Sequence, residues 1–371
     1  MNPTPPSQLL RQARRFVVKI GTNTLCGKDH RPDREFIDSL AGQIAELNSR
    51  GIGVSLVVSG AIGTGMADMG LDSRPIGVSH LQALAAIGQG QLMRIFHDVF
   101  AKHSMRVAQI LVTRDGFEDR TRYLNIRNTL LTLNDYNAVA IINENDTVAV
   151  DEIRFGENDV LAAHVANLLA ADVLVLMTNV AGVMKAGRII DVIQKVDEET
   201  MSLAETTRSS HGTGGMVTKL TAAGMVARAG GLAVIAAGRT ENILLRLADG
   251  EHIGTVFVPA KKRIGSKYLW IGQAARLAGR IIVDDGAVKA LRERGKSLLP
   301  SGIVDVAGNF GKGATVVVTD TRGNRVARGL CNYDAESLTR IKGLKTSEIA
   351  TVLGDKPYDE AIHRDNMIVY K

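Results

Sequence analysis

Apolar residues gather along the chain in short runs at 16–20, 54–58, 107–112, 139–142, 173–177 and 233–236, rich in Val, Ile and Leu. Each run is continuous rather than alternating, which predicts strands buried on both faces. Helix-like stretches lie between them at 33–49, 79–103, 119–134, 158–170 and 216–229. Strand alternating with helix predicts an α/β fold: a mostly parallel central sheet covered on both sides, a three-layer αβα sandwich. In such sheets ligands gather at the carboxyl ends of the strands, so the loops that follow each run are where chemistry is expected.

The rhythm breaks near residue 260, where VPAKKRIGSK brings in Pro and a charge cluster. This predicts a first domain over 1–260, a linker over 261–278, a small β-rich barrel with little helix over 279–357 and a tail over 358–371. The barrel reading rests on short runs at 280–284, 302–307, 315–320 and 325–333, parted by Gly-containing turns, before a helix-like stretch at 334–341.

Composition agrees with two domains. A chain of 371 residues, 45% hydrophobic and 23% charged, holds apolar material for one large core and a smaller one. Few aromatics (4%) and 38 glycines suit strand-to-helix turns better than a β-sandwich. MNPTPPSQLLRQARR has no apolar centre of signal-peptide length and no later run reaches membrane-spanning length, so a cytoplasmic protein without a membrane partner is expected. Cys26 and Cys331 lack metal-ligand spacing and read as reduced thiols in a packed interior. The +6 net charge is uneven: residues 261–371 carry 20 Lys and Arg against 12 Asp and Glu, while residues 1–260 carry 25 against 27. A basic C-terminal third favours a polyanion partner, although solubility also explains a modest excess.

HGTGGMVTKL at 211–220 is a glycine run opening a helix with Lys219 one turn inside it. Backbone N–H groups, a helix N-terminus and an ammonium together make a phosphate cradle. VVKIGTNT supplies a second cation, Lys19, at the end of the first strand. No G-x-x-x-x-G-K-[ST] string occurs, so ATP chemistry here is not that of a P-loop enzyme. VVSGAIGTGM places Ser59 and Gly60 after the second strand, either for close approach to a carboxylate or for a sharp turn and tight helix packing. IINENDTVAV crowds Asn143, Glu144, Asn145 and Asp146 at another strand end. Asn158 and Asp159 open an apolar helix, where capping competes with ligand contact. LMTNVAG offers Thr178 and Asn179.

In that order, VVKIGTNTL, VVSGAIGTGM, IINENDTVAV, FGENDVLAAHVANLL and GTGGMVTKLTAA resemble the amino acid kinase family in spacing and content, over essentially the whole chain. WIGQAARLAGRIIVDDGAVKAL with LLPSGIVDVAGNFGKG resembles a PUA domain. The resemblance implies an ATP-dependent phosphotransferase with a carboxyl acceptor, in which Lys19 and Lys219 stabilise the transferring phosphoryl group and Asp159 orients them. It places Ser59, Gly60, Asn143, Asp146 and Asn158 at the amino-acid substrate. Lys19, Thr178, Asn179, Thr213, Gly214, Gly215, Met216, Val217, Thr218 and Lys219 fall at ATP. The nearest pattern within the family is that of enzymes acting on the γ-carboxylate of L-glutamate, the first step of proline biosynthesis. That pattern implies Mg²⁺ held mainly by ATP and water, proline as feedback inhibitor, and a homo-oligomer, dimer or tetramer. One departure stands out: relatives commonly carry Thr-Asp where this chain has Thr178-Asn179. The rival readings are a family member acting on N-acetylglutamate, aspartate or a uridine nucleotide, and an RNA-binding protein working through the PUA domain.

Overall fold

A computed structural model of the chain describes residues 4–27, 29–148, 158–204, 215–260 and 265–370. They form two compact units, Met1–Gly116 with Tyr123–Ile264, and Phe117–Arg122 with Gly265–Lys371.

The first unit carries strands β1 (Arg15–Ile20), β2 (Gly53–Val58), β3 (Arg106–Val112), β4 (Ala138–Glu144), β5 (Val173–Thr178), β6 (Met184–Lys185), β7 (Arg188–Ile189), β8 (Val192–Ile193), β9 (Leu232–Ala237) and β10 (Thr255–Phe257). Eight of them make one sheet in the order β3-β4-β2-β1-β5-β9-β10-β8, while β6 and β7 form a separate hairpin. From β3 to β9 all pairings are parallel. The exception is β10, antiparallel to β9. The chain runs outward in opposite directions from β1, to β2 on one side and β5 on the other, so the carboxyl edge here is a topological switch point.

Alternation along β1 decides which side each residue serves. Phe16, Val18 and Ile20 enter a core shared with the helices Arg34–Ser49, Val78–Lys102 and Ile243–Ala248. Lys19 points to the opposite face, where the helices Asn158–Leu169 and Met216–Ala229 pack. The helix ends follow local chemistry: Asp33 accepts from the Phe36 N–H at the start of Arg34–Ser49, and Gly230 in the left-handed region ends Met216–Ala229. The expected helix at 119–134 is Arg120–Asp135, and a short helix not expected, Arg114–Glu118, precedes it. Among the described residues no helix is long and apolar enough to cross a membrane.

The second unit has its own core and a five-stranded sheet of β11 (Leu277–Val283), β12 (Ile303–Ala307), β13 (Thr315–Asp320), β14 (Arg325–Leu330) and β15 (Met367–Val369), ordered β12-β11-β13-β14-β15. Only β11 and β13 pair in parallel. Three expectations change here. The stretch expected as a linker folds, as a helical segment Ser266–Leu269 running into a π-helical turn Trp270–Ala274 before β11. The expected tail supplies β15, hydrogen-bonded to β14. Helix is also more plentiful than expected, with Asp285–Arg294 and Ile349–Leu353 beside the expected Ala335–Ile341. The first of these is mostly polar, with Leu291 its buried residue and Ala287 and Val288 partly buried beside it, so its apolar stripe is narrow.

Candidate active site

β1, the helix Asn158–Leu169 and the helix Met216–Ala229 bring three charged side chains to one point. Asp159 is fully buried, and Lys19 and Lys219 are 5% and 7% exposed. Lys19 Nζ stands 2.8 Å from Asp159 Oδ1, an ion pair rather than an aligned hydrogen bond, and Lys219 Nζ donates to Oδ2 at 3.1 Å. The Thr218 hydroxyl also reaches Oδ2, at 2.8 Å. Burial drives the Asp159 carboxyl up, but the two lysine charges and the Thr218 hydroxyl outweigh it and hold the group below its ordinary value. Burial is also the main influence on Lys219 and pulls its pKa down against the attraction of Asp159, with the Lys19 charge adding to the effect.

These three groups carry a net charge of +1 in a desolvated place. Such a charge is expensive to bury unless an anion shares it. Beside them, Gly215 starts the helix Met216–Ala229 with no side-chain cap, which leaves first-turn N–H groups for an anionic ligand. Met216 is buried and Val217 is 46% exposed. Thr213 and Gly214 lie outside the described residues. At the end of β5, Thr178 is buried, and its hydroxyl donates to Asn179 Oδ1 at 3.2 Å.

A second, uncharged cluster sits at the ends of β2 and β4. Asn158 Nδ2 lies 2.8 Å from the Val58 carbonyl, 2.9 Å from Ser59 Oγ and 3.0 Å from Asn143 Oδ1. Asn158 is thus no helix cap: its amide ties its helix to β2 and β4, and adjacent Asp159 meets the lysines. In VVSGAIGTGM the glycines serve a sharp turn and tight helix packing. Gly60 has φ +107°, a backbone that favours glycine, and a Cβ there would meet Cys26 Sγ at 3.3 Å. Gly65 instead serves helix packing, since a Cβ there would fall 2.0 Å from the Leu84 carbonyl oxygen. Asp146 is half-buried in the turn after β4. Both cysteines are buried free thiols, Cys26 pushed up to about 12 and Cys331 to about 11, each chiefly by burial.

Sequence reading missed Gln89, on the helix Val78–Lys102. It is 8% exposed and its Oε1 accepts from Asn143 Nδ2 at 2.9 Å. The available signal was a glutamine set between two glycines, Gly88 and Gly90, within a helix.

Residues 14–237 match the model of the amino acid kinase family, and residues 279–353 match the PUA domain. The chain is 45% identical over 362 residues to the glutamate 5-kinase of Caldanaerobacter subterraneus subsp. tengcongensis, covering 96% of this chain and 97% of that one. It is 44% identical over 362 residues to the glutamate 5-kinase of Thermoanaerobacter sp. strain X514, with the same coverage. The glutamate 5-kinase of Geobacter sulfurreducens is 42% identical over 370 residues, covering 98% and 99%.

Proposed function

Since the chain belongs to the amino acid kinase family and carries a PUA domain, we propose that it transfers the γ-phosphoryl group of ATP to the γ-carboxylate of L-glutamate, giving L-glutamate 5-phosphate and ADP. The observation that carries this reading is the buried Lys19–Asp159–Lys219 triad placed next to the Asn143–Asn158–Ser59 cluster. The nearly full-length likeness to proteins named glutamate 5-kinase supports the choice of acceptor.

The acceptor carboxylate is already ionised at neutral pH, so the step needs no strong general base. It needs alignment of the acceptor with the γ-phosphorus and compensation of the charge that gathers on the phosphoryl oxygens. In this reading Lys19 and Lys219 provide the compensation. Asp159 holds both ammoniums in place. The first turn at Gly215–Lys219, with Thr178 and Asn179, receives the nucleotide. Ser59, Gly60, Asn143, Asp146 and Asn158 receive glutamate, with Asp146 for its α-ammonium, a contact an N-acetylated acid does not need. Asp159 already has both oxygens engaged by lysines, and among the described residues no three His, Cys, Asp or Glu are grouped to hold a metal. In this reading Mg²⁺ would come with the ATP phosphates and water and neutralise phosphate charge. We assign proline to the glutamate pocket as a feedback inhibitor, a homodimer or homotetramer to the assembly, and a polyanion contact, RNA included, to the basic C-terminal unit.

The deciding experiment is ATP consumption with hydroxylamine trapping across L-glutamate, N-acetylglutamate and aspartate. Hydroxamate is expected with L-glutamate and little with the other two. Equal turnover of N-acetylglutamate would overturn the assignment of substrate.

A further inference from the structure

Three buried carboxamides make a directional chain beside the glutamate site proposed above. Asn143 Nδ2 donates to Gln89 Oε1 at 2.9 Å. Its Oδ1 must then face the other way, where it accepts from the Glu144 N–H at 2.9 Å and from Asn158 Nδ2 at 3.0 Å. Asn158 spends its amide nitrogen on Asn143, Ser59 and the Val58 carbonyl. Its Oδ1 is thereby the end left to turn toward a ligand. An amide has a donor end and an acceptor end, so fixing one member fixes the polarity of all three.

Gln89 sits at the head of this chain for a packing reason. The helices Ala61–Asp68 and Val78–Lys102 approach backbone to backbone: a Cβ on Gly88 would lie 1.9 Å from the Ala61 carbonyl oxygen. That contact sets the residue after Gly88 against the strand ends that carry Ser59 and Asn143. Its Nε2 is buried and has no hydrogen-bond partner among the described residues. A buried donor left unpaired is destabilising by about 1–3 kcal/mol. An apolar side chain of similar volume would carry no such donor, so stability alone does not account for a glutamine here.

We propose that Gln89 is a positioning residue for the amino-acid substrate: by accepting from Asn143 it sets the amide polarity that presents Asn158 Oδ1 as an acceptor for the substrate's ammonium. This rests on the glutamate reading above. The test is steady-state kinetics and melting temperature for wild type, Gln89→Met and Gln89→Glu. Methionine removes the acceptor, and glutamate keeps an oxygen for Asn143 Nδ2. Losing the order of one hydrogen-bonded contact corresponds to roughly a tenfold rise in KM for L-glutamate in Gln89→Met. The KM for ATP and the melting temperature stay close to wild type, and Gln89→Glu restores most of the glutamate KM. An unchanged glutamate KM in Gln89→Met overturns the proposal. So does a loss of melting temperature shared by both variants with both KM values rising together, since that marks a purely structural role. If wild type phosphorylates a different acid, the glutamate reading fails on its own, and the same comparison is made with the acid it does use.

Discussion

Asp159 is where burial and charge meet most sharply, because one fully buried carboxylate holds two ammoniums that would otherwise repel each other. If the lysines act on charge that grows during transfer, removing one affects the chemical step more than substrate binding. Lys19→Met and Lys219→Met are each expected to lower kcat by about 10²–10³-fold, as other charge-stabilising donors do, with a much smaller change in the glutamate KM. Near-normal kcat in either variant would remove that lysine from the cradle. The shift of Lys219 carries its own consequence. A lysine whose pKa is lowered below 10.5 by burial loses its proton, and with it its charge, earlier than an exposed one as pH rises. The alkaline limb of kcat/KM against pH, which reports the free enzyme, is therefore expected below the ordinary lysine range, and Lys219→Arg, if active, should move it upward. A limb at or above 10.5 in wild type contradicts this. Much of this site was legible in the sequence, since Lys19, Asn158, Asp159 and Lys219 each stand at a strand end or a helix start. Gln89 was not, because its partner is 54 residues away in sequence and only the helix–helix contact brings them together.

At the scale of elements, what was legible depended on length and burial. The six long runs became β1, β2, β3, β4, β5 and β9 nearly as read; five are largely buried, since strands covered on both faces must be apolar throughout, but β3, at the sheet edge, is buried only at Val112, against the expectation for it. The three-residue β10 and two-residue β8 were not seen, being too short to show any periodicity, and β10 reverses direction for pairing reasons that lie outside its own sequence. The helix Ala61–Asp68 was hidden by its glycines, which weaken helix propensity but allow the backbone contact with Val78–Lys102. That contact gives a paired prediction. Gly88→Ala forces a methyl group against the Ala61 carbonyl and is expected to destabilise by about 1–3 kcal/mol as an overpacked site, with a higher glutamate KM as Gln89 shifts. Gly90→Ala, two positions on, has open space for its Cβ and should stabilise by about 0.5–1 kcal/mol through helix propensity. Thermal melts of the two variants decide it, and equal behaviour would show that the close approach does not govern this helix pair.

At the scale of the whole molecule, the division into two units does not follow the chain strictly. The polypeptide leaves the first unit after Gly116 and rejoins it at Tyr123, and the intervening Phe117–Arg122 belongs with the C-terminal unit. There the Trp270 indole N–H donates to the Phe117 carbonyl at 3.0 Å and the Arg120 guanidinium lies 5.0 Å from the Trp270 ring centre. Composition could not reveal this, because a six-residue excursion leaves no change of rhythm. It alters what truncation near residue 260 should do. Lys19, Asp159 and Lys219 all lie in the first unit, so a 1–260 fragment is expected to keep glutamate-dependent turnover. It also loses Trp270 and with it the partner of Phe117 and Arg120, so it should melt below the full chain. Replacing Trp270 by Ala in the full-length protein should reproduce part of that loss without removing the basic unit. Turnover, melting temperature and oligomer size of both proteins test the argument. A fragment that folds and melts like the full chain but is inactive would mean that the C-terminal unit contributes to the chemistry, and that the site assigned to the first unit is incomplete.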